Sequence, residues 1–149
     1  MRNRLQNALK DAARAKQSRR LSTLRLILAA VKDRDIALRT APEDKDDDAI
    51  ITEILTKMVK QRRESIKMYE EGGRCELAEQ EREEIAVIEE FLPRQLSEAE
   101  IEAACRAAVA EVAAHGLKDM GKAMGCLKAR HAGQMDFAKA GATMRALLT

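Results

Sequence analysis

The chain has 149 residues, of which 46% are hydrophobic, 35% charged and only 2% aromatic, with a net charge of +2. That length holds one domain or two small ones and can bury a core without disulfide staples, which excludes a multidomain enzyme. Ordinary apolar content and near-balanced charge exclude a disordered chain, and two prolines and seven glycines are too few turn residues for a large all-β fold.

The periodicity is helical almost throughout. Leu5, Ala8, Leu9 and Ala12 recur at helical spacing and mark a short first helix. A second carries Leu21, Leu24, Leu28 and Val31 on one stripe with Ile27 beside it, and Thr40-Ala41-Pro42 ends it, because proline disfavours helical geometry in the residue before it. Asp44, Asp46 and Asp48 imitate the opening of a calcium loop, but Ala49 and Leu55 stand where such a loop needs Gly and Glu. These acids are expected to cap the next helix instead.

The third helix runs through Ile51, Ile54, Leu55, Met58, Val59, Ile66 and Tyr69 and stops at Gly72-Gly73. Arg62 interrupts its stripe, which points to a paired interior arginine. A fourth carries Leu77, Ile85, Ile88 and Leu92, and its many acids are expected to balance a basic surface elsewhere in the chain. Phe91-Leu92-Pro93-Arg94-Gln95-Leu96 breaks the pattern, and Ser97-Glu98-Ala99-Glu100 is a capping box. A fifth helix reads Ile101, Ala104, Cys105, Ala108, Val109 and Val112, with Gly116 as its C′ residue. A sixth carries Met120, Ala123, Met124 and Leu127 and ends near Gly133. Asp136 can cap a seventh, with Phe137, Ala140, Met144, Leu147 and Leu148. The expected fold is all-α, with a four-helix N-terminal domain (1–92), a linker (93–96) and a three-helix C-terminal domain (97–149).

Charge is segregated along this path. Residues 1–40 hold 11 basic and 3 acidic side chains, residues 70–90 hold 2 and 9, and residues 115–149 hold 6 and 2. No stretch reaches the ~18 apolar residues of a membrane span, and charges interrupt the N-terminus before any apolar run, so a cytoplasmic protein without a membrane partner is expected. Cys75, Cys105 and Cys126 fit neither a disulfide framework nor a zinc site. His115 and His131 are isolated and suit helix C-termini. No nucleophile elbow, phosphate loop or dinucleotide fingerprint occurs. No catalytic residue, metal or cofactor is therefore assigned.

One segment stands out, Lys118-Asp119-Met120-Gly121-Lys122-Ala123-Met124-Gly125-Cys126-Leu127-Lys128. Two glycines one turn apart cost the helix about 1 kcal/mol each relative to alanine, so the smooth strip at Gly121 and Gly125 has a use. Its simpler reading is close packing against another helix. The sharper one is a phosphate backbone, met by Lys118, Lys122, Lys128 and Arg130.

Several motifs occur in a fixed order: Arg20-Leu21-Ser22-Thr23-Leu24-Arg25, Lys60-Gln61-Arg62-Arg63-Glu64-Ser65-Ile66, Gly73-Arg74, Phe91-Leu92-Pro93-Arg94-Gln95-Leu96-Ser97, and Asp119-Met120-Gly121-Lys122 followed by Met124-Gly125. Together they resemble the GatB/YqeY family in its free-standing YqeY-like form, over essentially the whole chain. The resemblance implies an all-helical protein whose C-terminal part is similar to the tail of the tRNA-dependent amidotransferase B subunit. In that enzyme the tail contacts tRNA and a separate domain performs catalysis. A carbon–nitrogen ligase activity with glutamine as donor would attach to the family by name, since nothing here matches that catalytic domain. The reading implied is an accessory module for tRNA or other RNA without its own catalytic centre. The alternative is a helical protein–protein interaction module.

Overall fold

A computed structural model describes residues 1–149 as seven α-helices and one 3-10 turn: α1 (Arg2–Arg14), α2 (Ser18–Thr40), α3 (Asp47–Glu71), α4 (Cys75–Glu89), α5 (Glu98–Glu111), the turn Leu117–Asp119, α6 (Met120–Arg130) and α7 (Phe137–Leu148). The fold is all-α. The helices form two compact units, Met1–Pro93 with α1 to α4 and Arg94–Thr149 with α5 to α7.

The first unit closes over a core in which Leu5, Leu24, Ile27, Ile51, Leu55 and Ile88 are fully buried. Each contributes roughly 1.5–3 kcal/mol by leaving water. The fourth helix departs from its expected stripe: Leu77 is exposed and Ala78 is buried in its place. The small side chain lets the start of α4 lie close against α3, its main packing partner.

Side-chain caps set three of the seven helix starts. Asp46 accepts from the Ala49 N–H at 2.7 Å to begin α3, and Asp136 accepts from Ala138 at 2.9 Å to begin α7. Ser97 and Glu100 form both bonds of the capping box, at 3.2 and 3.1 Å, and the Ser97 N–H, with Arg94, holds the Glu100 carboxyl below its ordinary value. Gly73 closes α3 in the left-handed region at φ +71, with the Arg74 N–H bonded to Tyr69 O at 2.7 Å.

Two helix ends differ from expectation. α5 stops at Glu111, and Ala113, not Gly116, takes the left-handed position at φ +52. The Ala114 N–H then reaches Val109 O at 3.0 Å, and Val112 packs against the second core. Docking of that valine outweighs the usual preference for glycine. α6 ends at Arg130, three residues before Gly133, with His131 as its C-cap; His115 lies beyond the end of α5.

Ion pairs stitch the first unit together. α4 receives Arg19 on Glu83 and Arg20 on Glu90, both at 2.5 Å. Arg62, the expected interior arginine, lies 3.0 Å from Glu84 with only 14% of its side chain exposed. Arg2 bridges Asp35 and Asp47 at 2.9 and 2.7 Å, tying α1 to α2 and α3. Arg74 serves the α3–α4 turn through its backbone, with its carbonyl accepting from the Ala78 N–H at 3.2 Å.

Candidate nucleic-acid interface

The second unit buries Cys105, Ala108, Ala123, Leu127, Met135, Ala140 and Met144. On α6 this turns Met120, Ala123 and Leu127 inward, so helical periodicity points Gly121 and Gly125 out. Both glycines are exposed. A Cβ built on either meets no atom within 4 Å, so no helix of this unit packs on the strip. Ala129, one turn further and also exposed, extends it. The glycines leave about 6 Å of helix backbone open to whatever approaches from solvent.

The four expected cations are all exposed but not equally free. Lys118, in the 3-10 turn, and Lys122, beside the strip, make no ion pair. Lys128, on the opposite flank, stands 6.0 Å from the centre of the Phe137 ring, a loose cation–π contact. Arg130 is engaged by Glu111 at 2.7 Å. The strip and three of the four cations therefore share one face, while Arg130 is neutralised at the α5–α6 contact. Phe91 is buried, but Phe137 is only partly so.

Single residues concealed a wider feature. Neither α6 nor α7 contains an acidic residue. On α7, Ala140 and Met144 face inward, leaving Ala138, Ala142 and Ala146 as a second smooth row with Lys139 and Arg145 exposed beside it. The acids near these helices are accounted for: Asp119 accepts from the His115 N–H at 3.1 Å, Asp136 caps α7, and Glu111 holds Arg130. The helical spacing of these alanines, with no acid between the cations, was the available signal for this second row.

Nucleophilic chemistry has no support here. Glu111 lies 3.2 Å from the Cys126 sulfur and pushes that thiol up from its ordinary value, as burial does for Cys105; both shifts reduce the thiolate that would react. The cleft between α2 and α4 is lined by Ser18, Arg19, Ser22 and Glu83, and its charges are already paired. No three His, Cys, Asp or Glu side chains are placed to hold a metal ion, and no helix is long and apolar enough to cross a membrane. What the α6–α7 face offers is positive charge on a smooth helical surface.

The family model described as Yqey-like protein matches residues 2–148. A mitochondrial protein of Lachancea thermotolerans, named altered inheritance of mitochondria protein 41, is 33% identical over 102 residues, 66% of this chain and 52% of that one. Its namesake in Eremothecium gossypii is 34% identical over 88 residues, 59% of this chain and 46% of that one. An uncharacterized protein of Schizosaccharomyces pombe is 26% identical over 93 residues, 62% of this chain and 72% of that one. The chain spans about half the length of the first two.

Proposed function

The chain belongs to the YqeY-like family, and from that premise we propose that it is an accessory RNA-binding module, with tRNA as its first ligand and no catalytic centre of its own. The observation that carries this reading is the α6 face: two glycines whose Cβ positions are open, flanked by Lys122 and Lys128 on a helix without acids. An open helix backbone between cations suits a phosphate chain, which needs charge and close approach rather than shaped pockets. With aromatic residues at 2%, base-stacking platforms are scarce, so the module reads backbone and shape with little sequence preference. The resemblance of this unit to the amidotransferase tail is what singles out tRNA. The relatives that carry "mitochondrial" in their names are compatible with this reading, which requires only an aqueous compartment that holds tRNA; for this chain we take that to be the cytoplasm.

Filter binding against bulk tRNA tests it. With about three phosphate contacts, from Lys118, Lys122 and Lys128, affinity should fall roughly 20- to 40-fold between 50 and 200 mM salt. Undetectable binding, or binding indifferent to salt, overturns the reading. Glutamine- and ATP-dependent amidation of charged tRNA by the purified chain alone would overturn the non-catalytic part.

A second reading rests on the same open strip, which would equally admit a helix from a protein partner. The two separate by mutation. An RNA face loses binding with Lys122→Glu and tolerates Gly121→Ala, whereas a helix-packing face is abolished by Gly121→Leu and barely affected by Lys122→Glu.

A further inference from the structure

The N-terminal basic segment plays no part in the proposal above, and the fold sorts its cations into two kinds. Seven arginines of the first unit (Arg2, Arg19, Arg20, Arg34, Arg62, Arg63 and Arg82) are ion-paired to its acids. Lys10 and Arg14 on α1, with Arg25, Lys32 and Arg39 on α2, are exposed and make no ion pair. We infer that these five residues, on the outward face of the α1–α2 hairpin, form a second docking surface for an RNA phosphate backbone, separate from α6.

Their placement follows from helical geometry. α2 buries Leu24, Ile27 and Val31, which turns Arg25, Lys32 and Arg39 outward on the side nearer α1. Each is seven residues, about two turns or ~10.5 Å, from the next. α1 buries Leu5 and Ala12, which turns Lys10 and Arg14 outward. The Arg2–Asp35 pair at one end and the tight Ala15–Gln17 turn at the other set these two helices antiparallel, with Lys10 and Arg14 alongside the first half of α2.

The nearby acids are mostly engaged by other partners. Asp35 is forked to Arg2 at 2.9 and 3.0 Å and feels Arg39 only weakly, without an ion pair. Asp11 lines a cleft with Arg4, Arg20 and Phe91 on the other flank of α1. Glu83 and Glu90 are held by Arg19 and Arg20. The outward face of α3 provides the contrast, because there Lys57, Lys60 and Lys67 alternate with Glu53, Glu64 and Glu71. A face on which five unpaired cations gather while most nearby acids are engaged by other arginines repels itself and attracts a polyanion.

Among polyanions the geometry favours RNA over an anionic lipid surface. Ile36, half exposed, is the only large outward apolar side chain within the cationic row. Leu26, the other outward large aliphatic residue on α2, lies about 100° around the helix from Arg25 and next to Asp33. Sinking Ile36 and Leu26 together into lipid would carry that carboxylate in with them, which is costly. A phosphate chain requires no such insertion.

Four proteins decide the matter: the wild type, the triple variant Arg25→Gln/Lys32→Gln/Arg39→Gln, the charge-keeping variant Arg25→Lys/Arg39→Lys, and Lys118→Gln/Lys122→Gln on α6. Circular dichroism melts serve as the fold control. The triple variant should weaken bulk-tRNA binding roughly tenfold or more at 50 mM salt and lower the logarithmic salt slope by roughly 2 to 3. Arg25→Lys/Arg39→Lys should restore most of that slope. Acetylation of the wild type supplies a readout that needs no variant: tRNA should protect Lys10 and Lys32 but not Lys57, Lys60 and Lys67. An unchanged slope in the triple variant, or no protection of Lys10 and Lys32, overturns this inference and leaves the α6 reading standing. The opposite pattern, with loss in the triple variant and none in the α6 variant, removes the α6 reading and leaves this one. Binding to phosphatidylglycerol vesicles that the triple variant abolishes, with tRNA binding intact, would assign the face to lipid and overturn the inference.

Discussion

Replacing Arg2 by alanine should separate the end of α1 from α2 and α3 at a cost set by a single guanidinium. Its Nη1 and Nη2 reach the two Asp35 oxygens at 2.9 and 3.0 Å, while Nε and Nη2 reach Asp47 at 3.1 and 2.7 Å. The side chains are 34%, 40% and 53% exposed, so solvent screening keeps the interaction well below that of a buried triad. An exposed pair contributes about 0.2–1 kcal/mol, and bidentate geometry places two such pairs near the top of that range. About 1–2 kcal/mol should therefore be lost, which for a unit of this size lowers its melting temperature by about 4–12 °C. The pH dependence supplies the sharper test. Arg2 holds the carboxyls of Asp35 and Asp47 below their reference value of 3.8. Carboxylates whose folded values are depressed contribute stability above the unfolded value and lose it as pH falls through the folded one. Thermal melts followed by circular dichroism should show a clear deficit for Arg2→Ala at pH 7 that shrinks steadily below pH 4. Arg2→Lys should recover less than half, because an ammonium cannot span both carboxylates in a fork. Equal melts at pH 7, or a deficit that persists undiminished at pH 2, would refute the reasoning.

Two further outcomes follow from the helix ends. Ala113→Gly relieves a left-handed alanine that costs roughly 1–2 kcal/mol, against about 0.4–1 kcal/mol of added unfolded-chain entropy; a net gain of up to about 1.6 kcal/mol should appear in urea titration, and a loss would contradict the strain. Ser97→Ala removes one half of the capping box and should destabilise the second unit by about 0.5–2 kcal/mol, read as a lower urea midpoint with an unchanged slope. Little change in that midpoint would mean that Glu100 alone satisfies the end of α5.

The starts of α3, α5 and α7 were legible because three local signals agreed there: a capping side chain, acids in the first turn or just before it, and an apolar stripe beginning after it; the other helices were legible from the stripe alone. Asp46, Ser97 with Glu100, and Asp136 all behave as the sequence implies. What escaped were decisions taken by tertiary neighbours. The αL positions at Lys16 and Ala113 fall on residues that disfavour them, because packing of the adjoining turns decides where the chain reverses. Periodicity allowed Leu77 in the core, yet close approach of α3 and α4 selected Ala78.

Charge shows the same division most clearly. Counting identified the basic segments, but whether a given cation is free depends on acids far away in sequence. Glu83 neutralises Arg19 across 64 residues, and Glu111 neutralises Arg130 across 19. Segment totals therefore overstated the charge near Arg130 and concealed the free faces of α7 and of the α1–α2 hairpin.

Glu111 consequently becomes the residue through which the α6 face can be tuned. Its carboxylate holds Arg130 with one oxygen at 2.7 Å and meets the Cys126 thiol with the other at 3.2 Å. Glu111→Gln keeps the shape and removes the charge, so Arg130 loses its ion pair and is released to solvent, about 160° around α6 from Lys128. If the α6 face binds RNA, the variant should bind bulk tRNA more tightly at low salt, with a logarithmic salt slope steeper by roughly 0.7–0.9 for the one added phosphate contact. The same substitution removes what pushes Cys126 upward, so its thiol should titrate closer to its ordinary value and react faster with iodoacetamide near pH 8. The two readouts check each other. Faster alkylation shows that the carboxylate's influence on this corner has gone; a salt slope that then stays flat would mean that a freed Arg130 meets no phosphate and that any RNA contact is confined to the glycine side of α6.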